Sequence, residues 1–228
     1  SENKIVAVTS SNPNEGKSVT IANLATAMSE TDKKILLIDA DMRKPVQHKN
    51  FHLSNKLGLS NVITDSKLLD KAMHKQVVGN LDILTAGTIP PNPSELLASK
   101  QMSELLDKLK AQYVLILMDC APINIVSDVA GLASSIAGVV MVVHYGTTTF
   151  TELEDAQKQL GLANCNILGF VLNEVQHKHG TGYYSNYKYK YRYKYNYNYR
   201  YGSEKTAASP EEDAPERVKD EENADGLS

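Results

Sequence analysis

The sequence predicts one α/β domain in which a mostly parallel sheet is covered by helices on both faces. Two observations lead to this prediction. Short apolar runs of a length typical of buried strands recur along the chain, and helical patterns lie between them. The chain has 228 residues, of which 42% are hydrophobic, which is enough for one such domain followed by a tail. We expect the folded domain to span residues 1–176.

The first predicted unit is a strand, a loop and a helix. Residues 4–9 form a β-rich run that ends in a cluster of Ser, Asn, Pro and Gly, and residues 18–29 place apolar side chains at helical spacing. Further strands are predicted at residues 35–38, 81–84, 114–118, 139–143 and 167–172. Further helices are predicted at residues 94–109, 126–133 and 151–160. We expect Ser94 to cap the first of these helices and Gly161 to end the last.

Cysteine content and the length of the apolar runs indicate the environment of the protein. Cys120 and Cys165 each lie inside an apolar run, so we expect both in the core of a protein from a reducing compartment. The longest apolar stretches, residues 113–118 and 139–143, are far shorter than the ~20 residues that span a bilayer. The sequence does not start with a basic segment followed by an apolar one, the pattern of a secretory leader. We therefore expect a soluble domain.

The C-terminal part of the chain has an unusual composition. Ten of the twelve tyrosines lie within nineteen residues: Tyr183, Tyr184, Tyr187, Tyr189, Tyr191, Tyr193, Tyr195, Tyr197, Tyr199 and Tyr201. Residues 177–201 also carry six Lys or Arg and no acid, whereas residues 202–228 carry nine acids and three bases. We interpret residues 177–201 as a basic tyrosine-rich segment and residues 202–228 as an acidic end, both part of a disordered tail.

Residues 11–18 read Ser-Asn-Pro-Asn-Glu-Gly-Lys-Ser, and they follow a predicted strand and open a predicted helix. This arrangement is typical of a phosphate-binding loop, and it predicts a P-loop NTPase-like fold, although Ser11 stands where the motif has glycine. Backbone N–H groups would cradle phosphate, Lys17 would neutralise the β/γ charge and the Ser18 hydroxyl would bind Mg²⁺. The candidate nucleotide-binding residues are Asn14, Glu15, Gly16, Lys17, Ser18 and Val19.

Acidic residues follow two of the predicted strands. Asp39 and Asp41 follow one apolar run, and Asp119 ends another. A single Asp after a strand is usually a cap or turn residue, but three of them beside a phosphate loop indicate the ligand-binding edge of an open α/β sheet. Carboxylates at this edge suit Mg²⁺, which prefers oxygen ligands. The polar segment 42–56 is predicted to form a loop over the mouth of the nucleotide site.

Five features occur together in this chain. They are the phosphate loop, the motif Asp39-Ala-Asp41-Met-Arg43, the motif Asp119-Cys-Ala-Pro122, the segment 90–97 and the tyrosine-rich C-terminal segment. With these features in this order, the chain resembles the bacterial tyrosine kinases from about residue 4 to residue 201. In that family the proteins regulate capsular and exopolysaccharide synthesis.

The resemblance implies roles for individual residues. Asp39 would accept the proton of the tyrosine hydroxyl, Lys17 would hold the nucleotide, and Arg43 would stabilise phosphate charge. The implied metal ligands, direct or through water, are Ser18, Asp41 and Asp119. Two departures stand out: Ala121 replaces a proline that is common in the family, and the arginine-bearing N-terminal helix used in ring assembly is absent before Ser1.

The implied activity is the ATP- and Mg²⁺-dependent phosphorylation of the chain's own C-terminal tyrosines, between subunits of a homo-oligomer. The implied partners are the cytoplasmic segment of a membrane polysaccharide co-polymerase, which would activate the kinase, and a cognate tyrosine phosphatase. This partnership would place a cytoplasmic protein at the inner face of the membrane.

Two alternatives stay open. The chain could be an ATPase switch of the partitioning and cell-division type, but many of those have an extra lysine in the phosphate loop where this chain has Asn12. The alternating tyrosines could instead form a recognition strip or an aggregation-prone edge, or bind single-stranded nucleic acid by stacking. The nucleotide site favours a phosphate-acceptor role for the tyrosines and makes nucleic-acid binding the weaker interpretation.

Overall fold

The fold is a seven-stranded sheet with helices on both faces, seen in a computed structural model that describes residues 4–175. The strands are β1 (Ile5–Ser10), β2 (Ile35–Asp39), β3 (Met73–Val78), β4 (Leu81–Leu84), β5 (Leu115–Asp119), β6 (Gly138–His144) and β7 (Ile167–Asn173). The helices are α1 (Lys17–Met28), α2 (Gln47–Asn50), α3 (Leu59–Thr64), α4 (Leu69–Ala72), α5 (Pro93–Leu97), α6 (Lys100–Lys110) and α7 (Phe150–Leu162), with 3₁₀ helices at Ser66–Leu68 and Asp128–Leu132.

The strand order is β3-β4-β2-β5-β1-β6-β7, and every neighbouring pair except β3 and β4 runs parallel. This arrangement confirms the predicted α/β class and the mostly parallel sheet. In the pairing register Asp39 lies opposite Asp119, and Val8 also lies opposite Asp119. The C-terminal ends of β1, β2 and β5 therefore meet at one edge of the sheet, where parallel α/β folds place their ligands.

The alternating side chains of β2 show why both faces of the sheet are covered. Leu36 belongs to one buried apolar cluster and Leu37 to the other, because successive strand side chains point to opposite faces. Helix α6 packs on the first face through Leu106, and α1 packs on the second through Ile21. Burial of each such side chain contributes about 1.5–3 kcal/mol, so the apolar runs that predicted strands also hold the layers together.

The helix predicted at residues 94–109 is wrong as a single element, because the chain forms two helices there. Helix α5 begins with Pro93 and ends at Leu97, and α6 begins after Ser99. Ser99 has an extended backbone, and its hydroxyl accepts a hydrogen bond from the N–H of Met102 at 3.2 Å, which makes it the N-cap of α6. Ser94 is inside α5 and caps nothing, since its hydroxyl donates to Asp128.

Other predicted boundaries also differ from the structure. The helix expected at residues 126–133 is the 3₁₀ helix Asp128–Leu132, and the loop expected at 42–56 contains the short helix α2. Helix α7 continues through Gly161 to Leu162, so this glycine does not end the helix. The start of α7 is defined by a capping box formed by Thr149 and Glu152.

Strand β3 was not predicted from the sequence, because it lacks the apolar pattern of the other strands. Its sequence is Met-His-Lys-Gln-Val-Val, and its residues are half-buried or exposed. It lies at the edge of the sheet, pairs antiparallel with β4 and shifts register between His74 and Val78. An edge strand with an irregular register does not need regular alternation of apolar and polar residues.

Several predictions concern residues outside the described part of the chain. These are the end of the domain at residue 176, the tyrosine-rich segment 177–201 and the acidic end 202–228. Cys120 and Cys165 lie within the described part and are both free and buried, as expected. Between residues 4 and 175, no helix has the length and apolar character needed to cross a bilayer.

We expect the variant Ser99→Ala to lower the free energy of unfolding by about 0.5–2 kcal/mol, because it removes the N-cap of α6. Urea unfolding measures this change. Ser103→Ala is the matched control: Ser103 lies inside the same helix, where alanine is the most favourable residue, and this variant should be as stable as the unchanged protein or slightly more stable. Equal stabilities of the two variants would contradict the assignment of the cap.

Candidate active site

The phosphate loop lies between β1 and α1, at the edge of the sheet where the strands end. Gly16 precedes the first residue of α1 and has a φ of 88°, in the left-handed region that favours glycine. A Cβ atom at this position would lie 2.0 Å from Nδ2 of Asn173, so any side chain there would have to displace the Asn173 amide. The free N–H groups at the start of α1 are thus presented at the mouth of the site, as phosphate binding requires.

Two residues from distant parts of the chain brace the loop. The amide of Asn173, at the end of β7, donates to the carbonyl oxygen of Glu15 at 3.1 Å. The hydroxyl of Thr148 donates to Oε1 of Glu15 at 2.6 Å. The Glu15 side chain is buried and held by Thr148, so any contribution of Glu15 to phosphate binding would come from its backbone. Asn173 and Thr148 were not predicted from the sequence, because no motif links them to the loop.

The ammonium group of Lys17 sits among oxygen atoms. Its Nζ lies 3.0 Å from Oδ2 of Asp41, 3.2 Å from Oδ1 of Asp119 and 3.0 Å from Oγ of Ser18. Burial alone lowers the pKa of Lys17, but the charges of Asp119 and Asp41 together raise it above its ordinary value. Lys17 therefore stays charged and neutralises a pair of buried acids.

The three predicted metal ligands, Ser18, Asp41 and Asp119, are brought together around this cation. In residues 4–175 no group of three or more His, Cys, Asp or Glu side chains forms a metal cage. A cage is not needed for Mg²⁺, which is commonly held by one or two carboxylates together with waters and substrate phosphates. A hydroxyl and two carboxylates next to a phosphate loop fit Mg²⁺ with a nucleotide.

Asp39, like Asp119, is fully buried. Its Oδ2 accepts hydrogen bonds from the backbone N–H groups of Val46 and Gln47, at 3.0 and 2.9 Å. Its Oδ1 is buried and has no partner among the described residues. Burial and then the charge of Asp119 raise the pKa of Asp39 to about 8, against the lowering effect of the Gln47 N–H. The implied proton acceptor thus lies beneath the chain at residues 46–47.

Gln47 is a further site residue that sequence reasoning missed. Its Nε2 donates to Oδ2 of Asp119 at 2.7 Å and to the carbonyl oxygen of Ser18 at 3.0 Å, and the residue is fully buried. A glutamine in a polar segment carries no signal of such a role, because the contact with Asp119 joins residues 72 positions apart. Gln47 ties the segment after β2 to the predicted magnesium ligands.

A cavity of about 470 Å³ opens in front of the phosphate loop. The residues that line it include Lys17, Ser18, Asp41, Arg43, Lys44 and Ile125. The site therefore has room for a nucleotide phosphate chain with cationic side chains around it. The Arg43 guanidinium forms an ion pair with Asp128, with Nε 3.0 Å from Oδ2.

Comparisons with known proteins identify the family. The family model of the AAA domain matches residues 3–160. The tyrosine-protein kinase YwqD of Bacillus subtilis (strain 168) is 40% identical over 183 residues, which cover 79% of this chain and 77% of YwqD. The chain belongs to the bacterial tyrosine-protein kinase family. Another kinase of the family, etk of Escherichia coli (strain K12), is 35% identical over 182 residues, and the match spans 25% of the length of that longer protein.

Solved structures agree with this kinase assignment. The kinase domain of Escherichia coli tyrosine kinase ETK matches with a TM-score of 0.74 and 35% identity, covering 79% of this chain and 71% of that one. The chimerical protein CapA2B2 matches with a TM-score of 0.74 and 34% identity, covering 78% of each chain. The septum site-determining protein MinD of Pyrococcus horikoshii OT3, complexed with Mg-ADP, has a TM-score of 0.61 at 23% identity, with 74% of this chain and 69% of that chain covered, which shows a shared fold alone.

We expect the variant Gly16→Ala to weaken Mg-ATP binding about tenfold or more, and to lower the free energy of unfolding by about 1–3 kcal/mol. The added Cβ would displace Asn173 from the loop and strain a backbone with positive φ. Calorimetric titration and urea unfolding measure the two effects. The control Gly161→Ala has open space around the new methyl group and should bind nucleotide normally.

We also expect a pH-dependent effect of Asp39→Asn in the absence of Mg²⁺ and nucleotide. The folded chain keeps the Asp39 proton up to a pH of about 8, whereas the unfolded chain releases it near 3.8. In this pH window the folded state binds more protons, so raising the pH lowers the free energy of unfolding. Asparagine does not titrate and removes this loss. Urea unfolding gives the free energy of unfolding of the variant minus that of the unchanged protein. This difference should rise by at least about 1.4 kcal/mol from pH 5 to pH 8. The same difference at both pH values would contradict the prediction.

Proposed function

We propose that this chain is an ATP- and Mg²⁺-dependent tyrosine kinase that phosphorylates the tyrosines between residues 183 and 201. We propose further that transfer occurs in trans and that it regulates capsular or exopolysaccharide synthesis. The observation that carries the proposal is the convergence of Lys17, Ser18, Asp41 and Asp119 next to the phosphate loop, in a chain that belongs to a family of tyrosine kinases.

Binding of ATP would change the partners of Lys17. In the described structure its ammonium group pairs with Asp41 and Asp119, and with a nucleotide it would donate to the β- and γ-phosphate oxygens. The N–H groups at the start of α1 would hold the phosphates from the other side. Ser18, Asp41 and Asp119 would hold Mg²⁺, which supplies charge neutralisation at the transferring phosphoryl group.

Asp39 is the proposed acceptor of the tyrosine proton. A tyrosine hydroxyl has a pKa near ~10, so an ordinary carboxylate is a weak base for it. Burial raises the pKa of Asp39 to about 8, so in its ionised form this carboxylate is a stronger base for the tyrosine proton than an ordinary one. Because Asp39 lies under Val46 and Gln47, the segment that carries these residues must open for a tyrosine to reach the carboxylate.

Transfer between subunits is supported by the reach of the chain. Glu174 follows β7 directly, and Tyr201 lies twenty-seven positions further along the chain. An extended chain spans at most ~3.3–3.6 Å per residue, so this length corresponds to roughly 90 Å. The acceptor tyrosines could therefore enter the site of a neighbouring copy in a homo-oligomer as well as the site of their own chain.

A partner and a location are also part of the proposal. We infer an activating partner in the cytoplasmic segment of a membrane polysaccharide co-polymerase, and a cognate tyrosine phosphatase that reverses the modification. These would place the kinase in the cytoplasm at the inner face of the membrane. A related domain has been solved as the chimerical protein CapA2B2, which is consistent with a domain that works joined to another polypeptide.

The test is to incubate the full chain with Mg-ATP and measure intact mass and phosphotyrosine. We expect additions of phosphate that map to residues 183–201 and that fall at least about 100-fold in rate in Lys17→Met, because Lys17 can no longer neutralise phosphate charge. Lys33→Met removes an exposed lysine outside the site and should leave the rate unchanged.

Different results would support different conclusions. ATP hydrolysis without any gain in mass, even with an activating segment supplied, would overturn the kinase proposal and favour the ATPase switch. Phosphate on tyrosines outside residues 183–201, such as Tyr145, would contradict the assignment of the acceptors while leaving the kinase activity in place.

A further inference from the structure

Arg43 is held by a buried carboxylate far away in the sequence. Its Nε donates to Oδ2 of Asp128 at 3.0 Å, and its Nη2 donates to Oδ1 of the same carboxylate at 3.1 Å. The two residues are 85 positions apart. Two parallel hydrogen bonds between a guanidinium and a carboxylate fix the orientation of the guanidinium plane, not merely its position.

Ser94 completes this cluster from a third part of the chain. Its hydroxyl accepts a hydrogen bond from Nη2 of Arg43 at 2.9 Å and donates one to Oδ1 of Asp128 at 2.5 Å. The cluster therefore joins the segment after β2, the start of α5 and the 3₁₀ helix Asp128–Leu132. Both carboxylate oxygens of Asp128 and the Ser94 hydroxyl are hydrogen-bonded to other members of the cluster.

The exposure of the two charged side chains differs strongly. The Asp128 side chain is 1% exposed, whereas the Arg43 side chain is 38% exposed and lines the cavity in front of the phosphate loop. Burying a carboxylate such as Asp128 is unfavourable unless it is paired. The hydrogen bond with Asp128 in turn raises the pKa of Arg43 above its ordinary value. Arg43 also has a third guanidinium nitrogen, Nη1, which makes no hydrogen bond within the described part of the chain.

We propose that Asp128 and Ser94 are positioning residues for phosphoryl transfer, which orient Arg43 and leave Nη1 available to the transferring phosphoryl group. This inference rests on the proposed kinase function. Two of the three nitrogens are used to fix the guanidinium, and the third remains for the substrate. Preorganised donors of this kind lower the barrier because they need no rearrangement when charge develops in the transition state.

A purely structural role makes different predictions. If the cluster only ties α5 and the 3₁₀ helix to the segment after β2, breaking it would lower the melting temperature and reduce activity in proportion to the folded fraction. If it positions Arg43, breaking it would lower kcat in protein that is fully folded. The Michaelis constant for Mg-ATP would then change little, because Lys17 and the phosphate loop remain in place to bind the nucleotide.

The experiment measures kcat and KM for Mg-ATP in Asp128→Asn, Arg43→Met and the double variant, with melting temperatures recorded beside them. Phosphotyrosine formation and ADP release are both followed in the full chain. We expect Asp128→Asn to lower kcat about 10- to 100-fold with KM changed less than about threefold. The amide of asparagine can accept only one of the two hydrogen bonds from Arg43.

The double variant provides the decisive comparison. If Asp128 acts through Arg43, adding Asp128→Asn to Arg43→Met should reduce kcat no further. Ser94→Ala should also lower kcat, by a smaller factor. It replaces Asp128→Asn as the test of positioning if Asp128→Asn does not fold. The control Asp107→Asn removes an exposed acid of α6 and should leave kcat unchanged.

The proposal is overturned if kcat of Asp128→Asn equals that of the unchanged protein, or if Asp128→Asn lowers kcat by the same factor with and without Arg43. A loss of activity that follows the melting temperature alone would also overturn it. Failure of the kinase function looks different, since the unchanged protein would then form no phosphotyrosine. In that case ADP release in the same variants decides whether the cluster positions Arg43 for phosphate chemistry.

Discussion

The ammonium group of Lys17 is the interaction on which the rest of this site depends, because it allows acids to crowd at the edge of the sheet. Asp39 and Asp119 are fully buried and lie opposite each other in the register of β2 and β5. Lys17 pairs with Asp119 and Asp41, whereas burial and the charge of Asp119 raise the pKa of Asp39 to about 8. Loss of this cation would leave the like charges of Asp41 and Asp119 without compensation in a region of low dielectric constant.

The segment that follows β2 is the second organising element of the site. Asp39 accepts hydrogen bonds from the backbone N–H groups of Val46 and Gln47. The Gln47 side chain donates to Asp119, and the Arg43 guanidinium donates to Asp128. One short stretch of chain therefore touches the proposed base, a proposed metal ligand and the 3₁₀ helix that carries Asp128. Movement of this stretch would change all three contacts together.

Much of the fold could be predicted from the sequence, and the errors have identifiable physical causes. The apolar runs predicted six of the seven strands, because parallel strands buried on both faces require continuous apolar residues. Strand β3 was missed because an edge strand does not need that pattern. The helix at residues 94–109 was predicted as one element because its apolar spacing continues across Ser99, and only the hydrogen bond from Met102 shows that a second helix starts there.

The sequence by itself determined the phosphate loop, the carboxylates that end the strands and the membership of a kinase family, because these depend on short runs of neighbouring residues. Only the tertiary structure decided that Asn173 and Thr148 brace the loop, that Gln47 contacts Asp119 and that Asp128 holds Arg43. Such contacts join residues that are far apart in the chain. They arise from the order of strands in the sheet, which brings separate loops to one edge, and single polar residues in those loops leave no pattern in the sequence.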